Sequence, residues 1–309
     1  MKRILGRIAV IAAAFGLALG VARAEELRIG TASQGGAFYP IGQAISNLVS
    51  KYVEGATMVP IVTQGALQNP RLVADGEVDI GITNNNLAYF AANGTGPYED
   101  GKLPIAGVAA LHPSVLHIVT LEGSDIRDVG DLKGKRVAVG PAGGGTVSVL
   151  GDLFAAYGMS LDDITASFLS YADGFSELGD GNVDAALALA GYPTSAVTQI
   201  QATKDIRFVP IAEDKLSAVV AEHPYYTSIS VPAETYKTND SATMIGVNNA
   251  LIVNADMDAD KVYAITKAVF DHMDEFAAEN AVAKQIDPAQ SKSLPIPLHP
   301  GAKRYFDGK

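Results

Sequence analysis

The chain has 309 residues, no cysteine, and 23 Lys+Arg against 34 Asp+Glu, for a formal net charge of −11 at pH 7. That length supports roughly two domains, and the acidic balance argues against a nucleic-acid partner. The lack of cysteine excludes a disulfide framework, a thiol nucleophile and a lipid anchor on cysteine.

Lys2, Arg3 and Arg7 precede an apolar stretch from Ile8 to Val21, and Ala22-Arg23-Ala24 puts small residues at the −3 and −1 positions of a cleavage site. This is the pattern of a secretory signal peptide over residues 1–24, with an apolar run short for a spanning helix. The mature chain is expected to start near Glu25, in the periplasm. It loses four basic and no acidic residues, leaving 19 against 34, or −15.

Beyond residue 24, short apolar runs alternate with helical patterns. LRIG (27–30) predicts a strand, and residues 40–53 a helix with Ile41, Ile45, Leu48 and Tyr52 on one face. MVPIVT (58–63) reads as a strand, residues 69–76 as a short helix and VDIGIT (78–83) as a strand, the alternation of a largely parallel α/β sheet. The pattern then restarts: residues 135–158 repeat the order strand, glycine loop, helix. Gly76-Glu77-Val78-Asp79 aligns with Gly181-Asn182-Val183-Asp184 at an offset of 105, and Gly30 with Gly140 at an offset of 110. Two similarly built domains are expected. MIGVNNALIVN (244–254) reads as a strand returning to the first. One long helix from about Asp258 to Ala278 follows, with Val262, Ile265, Val269 and Phe276 on one face, then a proline-rich tail.

The glycine loops carry the candidate chemistry. A glycine loop that opens into a helix leaves backbone N–H groups free to hold a carboxylate or phosphate. Gln34-Gly35-Gly36-Ala37 is one such loop, with Tyr39 adding a hydroxyl and Pro40 suited to the first turn. Ala142-Gly143-Gly144-Gly145-Thr146 is the other. Neither has the lysine of a phosphate-binding P-loop, and Gly30, Gly35 and Gly36 are not in the dinucleotide-binding frame. None of the five histidines forms an HExxH or H-x-H pair, no GxSxG elbow is present, and Asp256, Asp258 and Asp260 lack the glycine of a calcium loop. No cofactor or metal is expected.

The stretches IGTASQGGAFYPIG (29–42), TQGALQNPRLVADGEVDIGITNNNLAY (63–89), LHIVT (116–120), DLKGKRVAVGPAGGGT (131–146), DGNVDAALALAGYP (180–193), VYAITKAVF (262–270) and LHPGAKRYF (298–306) occur in this order and spacing. Together they resemble the TAXI family, the extracytoplasmic solute receptors of one branch of TRAP transporters, over essentially the whole mature chain. The resemblance implies a type II periplasmic binding protein fold: two α/β lobes with a ligand cleft between them, lobe I from 25–117 plus 244–309 and lobe II from 118–243. It further implies a monomeric receptor, not an enzyme, that delivers a small organic anion to the TRAP permease: a dicarboxylate, a keto acid or an acidic amino acid such as glutamate. A periplasmic hydrolase on the same scaffold and a receptor serving a sensor kinase are the alternatives.

The ligand-binding candidates are Gly35, Gly36, Ala37, Tyr39, Gln64, Gly65, Asn69, Asn84, Asn86, His117, Gly143, Gly144, Gly145, Thr146, Tyr192 and Asn248. In the family a glycine pair followed by serine is usual where this chain has Gln64-Gly65-Ala66, and serine is common where it has Gly144, so two expected hydroxyls are missing. Asn69 is equally an N-cap ahead of Pro70, and His117 reads first as a hydrogen-bonded structural histidine. Tyr192 is equally core, and Asn248 and Asn249 are alike placed to reach the hinge. The neutral Asn84-Asn85-Asn86 tilt the reading towards a carboxylate without an amine, unless Asp173 supplies an acidic partner. Arg71 is either a carboxylate clamp or a solvated helix residue.

Overall fold

The computed structural model describes residues 25–238 and 241–308; the expected signal peptide lies outside the described residues. Strand β1 (Glu25–Gly30) leads through the first glycine loop into α1 (Phe38–Tyr52). β2 (Ala56–Ile61), α2 (Asn69–Ala74), β3 (Ile80–Asn84) and α3 (Asn85–Asn93) follow, then the long β4 (Ile105–Leu121). The alternation resumes with β5 (Arg136–Ala138), α4 (Gly145–Ala156), β6 (Thr165–Ser167), α5 (Tyr171–Asp180), β7 (Ala185–Ala190) and α6 (Ser195–Gln201). β8 (Ile206–Phe208), α7 (Glu213–Glu222), β9 (Tyr226–Val231) and α8 (Ala233–Tyr236) lead to the second long strand, β10 (Ala242–Asn254). Helices α9 (Ala259–Phe270), α10 (Met273–Glu279) and α11 (Pro300–Asp307) complete the described chain.

The strands form one sheet in the order β2-β1-β3-β10-β4-β7-β5-β6, with β8 on β4 and β9 on β10. β1, β2 and β3 are mutually parallel and β10 is antiparallel to β3; β5, β6 and β7 are mutually parallel and β4 is antiparallel to β7. Each half is thus a parallel trio completed by a long strand that also belongs to the other half. One apolar cluster draws on residues between Leu27 and Leu111 and between Ala250 and Tyr305; two others lie between Val115 and Val247. The first is called lobe I below and the other two lobe II. This is a mixed α/β architecture built on one central sheet.

The internal repeat has a structural purpose. Gly76 and Gly181 both turn the chain at positive φ, 71° and 77°, where glycine carries no steric cost. The aspartate three residues on then caps the first strand of its own lobe. Arg28 N donates to Asp79 Oδ2 at 2.7 Å and Arg136 N to Asp184 Oδ2 at 2.8 Å. Each arginine also reaches the carbonyl of its own turn glycine at 3.1 Å.

Ile41, Ile45 and Leu48 are fully buried on the inner face of α1, each contributing about 1.5–3 kcal/mol by burial. Tyr52, expected with them, is instead exposed at the end of the helix, stacked on His272 and donating to Glu275 Oε2 at 2.7 Å. The long helix expected over 258–278 is two helices, broken at Asp271 and His272, where His272 Nδ1 contacts the Ala268 carbonyl instead of continuing the turn. β4, which passes from one lobe to the other, runs for 17 residues. The tail adds to its edge: Gly107 N donates to the Pro297 carbonyl and His299 N to that of Gly107.

β4 and β10 cross between the lobes at an irregularity. Pro113 opposes Asn248 and Ala110 opposes Ala250, so Leu111 and His112 face Asn249 alone. Proline has no N–H for the ladder, which favours such a break. The His112 carbonyl is met by a side chain: Asn249 Nδ2 donates to it at 2.7 Å.

Candidate functional site

Helices α1 and α4 follow the first strand of each lobe and start at glycine loops. Neither has a side-chain hydrogen bond at its N-cap, Ala37 or Gly144, so the leading N–H groups keep their full donor capacity and the positive helix-end potential. Both N-termini open on one small cavity between the lobes. Gly36, Ala37, Phe38, Ser33 and Asn84 line it from lobe I, and Gly144, Gly145, Tyr171 and Leu189 from lobe II. Its volume is ≈ 20 Å³, room for about one water-sized group. The full lining contains no Lys, Arg, His, Asp or Glu.

The lobes touch through reciprocal backbone contacts. The Gly143 carbonyl of lobe II accepts from Leu67 N at 2.9 Å and Gln68 N at 3.2 Å, just ahead of α2, and Gly143 N donates to Gln64 Oε1 at 3.1 Å. In the other direction, the Gly35 carbonyl of lobe I accepts from Thr194 Oγ1 at 2.7 Å and Ala196 N at 3.1 Å, at the start of α6. Gly35 is at φ +96°, and a Cβ there would stand 2.7 Å from Ala172 N.

Of the residues expected from sequence, Gly36, Ala37, Gln64, Gly65, Asn84, Gly144 and Gly145 stand together around the cavity. Gly35 and Gly143 belong to the contacts between lobes. Tyr39 stands half-buried on α1 outside the lining, and Phe38 occupies the place beside the cavity. Thr146 is next to the site, but its hydroxyl is engaged with Tyr171 Oη at 2.7 Å and accepts from Leu189 N at 3.2 Å.

Asn69 is wholly buried and ties three backbone segments together: Nδ2 reaches the carbonyls of Gly30, Thr31 and Ile82, while Oδ1 accepts from Thr63 Oγ1. Asn86 reaches Tyr226 Oη at 3.4 Å, and Tyr226 in turn donates to Asp152 at 2.6 Å.

His117 lies in the lobe II core. Its Nδ1–H donates to the Ala188 carbonyl, Nε2 accepts from Tyr236 Oη, and that hydroxyl accepts from Thr194 N. Burial pushes the ring down to about 4, so it is neutral. Tyr192 packs half-buried against the lobe II core, its carbonyl bonded to Gln285 Nε2.

Asn248 points outwards and is exposed, while its neighbour Asn249 faces inwards and is buried. Asn249 Oδ1 accepts from Asn84 Nδ2 at 2.7 Å. Arg71 is engaged elsewhere, with Asp100 at 2.7 and 3.0 Å and over the Tyr98 ring. Asp173 is exposed and accepts from Ser170 Oγ at 2.6 Å.

Sequence reading missed Tyr171, Ser33, Phe38 and Leu189, and left Asn249 level with Asn248. Asn249 needed only the strand register, because alternation along β10 decides which of two adjacent asparagines faces in. Tyr171 gave no local signal, since it reaches the site through the start of α5 and is held there by donating to the Leu189 carbonyl at 3.1 Å.

Among the described residues no helix is long and apolar enough to cross a membrane, and no group of three or more His, Asp or Glu could hold a metal ion. A profile of the NMT1-like family matches residues 29–309. MatC from Rhodopseudomonas palustris with bound malate is structurally similar at a TM-score of 0.58 and 14% identity, over 92% of this chain and 96% of that one. The alkanesulfonate-binding protein SsuA from Xanthomonas axonopodis pv. citri bound to MOPS matches at 0.50 and 15%, over 92% and 84%. A putative L-cystine ABC transporter protein from Listeria monocytogenes matches at 0.51 and 13%, over 87% and 99%. At these identities the likeness is one of fold.

Proposed function

The chain belongs to the NMT1-like family, and from that premise we propose that it is the extracytoplasmic receptor of a TAXI-type TRAP transporter. In this reading it binds a small organic anion between its lobes in the periplasm and hands it to an ion-coupled permease. In this reading the chain changes lobe within β4, between Leu111 and Val115, and again within β10, between Val247 and Ala250, a few residues from the boundaries expected at 117/118 and 243/244. One observation carries the reading. Two helix N-termini without side-chain caps, one from each lobe, meet at a single small cavity lined by no charged side chain. Backbone N–H groups and helix-end potential then supply the attraction for a carboxylate. At ≈ 20 Å³ the cavity has room for about one water-sized group, so the anion enters with the lobes apart and is held in a looser closure, which it favours over the open arrangement.

The same fold holds malate, an organic dianion, in MatC. The lining also has no histidine, aspartate or glutamate beside Ser33 to act as its base, which supports a receptor over a hydrolase. A thermal-shift screen of amino acids, dicarboxylates and keto acids tests the proposal. One carboxylate per chain should raise the melting temperature without being consumed. A cationic amino acid as the only hit, or turnover of a bound compound, would sink it.

A further inference from the structure

A site made only to hold an anion would present donors, yet Asn84 presents an acceptor. Asn84 is 1% exposed, lines the cavity, and its Oδ1 has no hydrogen-bond partner. Its orientation is fixed by the hinge. Asn249 Nδ2 is held by the His112 carbonyl and Ser114 Oγ, which leaves Asn249 Oδ1 to accept from Asn84 Nδ2. Turning the Asn84 amide over would set two carbonyl oxygens against each other. The oxygen abuts the start of α4 so closely that a Cβ on Gly145 would lie 2.0 Å from it. A carboxylate taken up by the leading N–H groups of α4 would lie next to Asn84 Oδ1, with the lobes parted enough to widen the ≈ 20 Å³ of free space. Ser33 Oγ, also buried and without a partner, lines the same cavity.

We propose that the site selects organic acids with a hydroxyl on the carbon next to the carboxylate, and that this hydroxyl donates to Asn84 Oδ1. The assignment rests on the carboxylate reading above and narrows its ligand class. A keto oxygen would oppose acceptor to acceptor, and an unsubstituted acid would leave the buried oxygen unmet, each a loss for a desolvated polar group. An ammonium is a donor but brings a full charge into a lining with no carboxylate. Asp173 does not supply one, since it is exposed and engaged by Ser170. A hydroxyl is the neutral donor that matches the Asn84 oxygen.

The test is calorimetric titration of the mature protein with two matched series. The first is lactate, pyruvate, propionate and alanine; the second is malate, oxaloacetate, succinate and aspartate. Within whichever series binds, the hydroxy acid is expected to bind about tenfold or more tighter than its keto, unsubstituted and amino partners. Asn84→Ala should bring the hydroxy acid down to the level of the unsubstituted acid, with circular dichroism and melting used to check the fold. If that variant does not fold, the wild-type series decides alone. A keto, unsubstituted or amino acid binding as well as the hydroxy acid overturns the inference and leaves the carboxylate receptor standing. Failure of every carboxylate to bind overturns both.

Discussion

His112 and His117 sit on the hinge strand, fully buried, and burial alone drives both rings far below their ordinary value, to about 3 and about 4. His117 is satisfied on both nitrogens by Ala188 and Tyr236, whereas neither ring nitrogen of His112 has a hydrogen-bond partner. Both are neutral when folded and titrate near pH 6.5 when unfolded. Below that pH the unfolded chain takes up protons that the folded chain refuses, so stability falls as pH falls, down to the folded values. From pH 7 to pH 5 the loss is about 2 kcal/mol per histidine. Urea unfolding at the two pH values checks this, and His112→Gln should remove about half of the difference. An equal slope in wild type and variant would show that His112 is not buried neutral.

At the scale of elements, the start of α4 is governed by one steric fact. A Cβ at Gly145 would lie 2.0 Å from Asn84 Oδ1, an oxygen held by Asn249. At Gly151, further along the same helix, a Cβ would meet nothing within 4 Å. Gly145→Ala is therefore expected to destabilise by about 1–3 kcal/mol and to abolish carboxylate binding. Gly151→Ala should stabilise by about 0.5–1 kcal/mol, because alanine costs less to order in a helix than glycine. Melting curves and titration of both variants decide, and equal effects at the two positions would refute the close approach. The helix and its glycine loop were legible as a unit in the sequence. The neighbour that makes Gly145 indispensable lies on β3 of the other lobe, 61 residues earlier in the chain, and no local pattern pointed to it.

For the whole molecule, the lobes are joined by a few polar contacts at the glycine loops: each loop's carbonyl accepts from the other lobe, and Gly143 N donates to it. Two of them use side chains: Gln64 Oε1 with Gly143 N, and Thr194 Oγ1 with the Gly35 carbonyl. At about 1 kcal/mol each, removing both in Gln64→Ala with Thr194→Val should lower the closed-to-open ratio by about 30-fold. Apparent affinity falls with the closed fraction. Small-angle scattering should show the ligand-free variant expanded relative to wild type, and the same radius in both would rule out these contacts as the latch.

The sequence by itself determined the alternation of strands and helices, the two glycine loops and the repeat at Gly76–Asp79 and Gly181–Asp184, because these are written in local periodicity and in turn chemistry. It also placed seven residues that do gather around the cavity, since glycines ahead of a helix mark its N-terminus wherever the chain goes. Tertiary structure decided the rest. The bulge at Leu111 and His112, beside Pro113, lies where Asn249 turns inwards and Asn248 outwards. Packing drew the Asn69 amide into tying backbone together, and α5 brought Tyr171 to the cavity wall. A side chain's partners depend on which distant segment packs against it, and that is settled only when β4 and β10 bring the two lobes face to face.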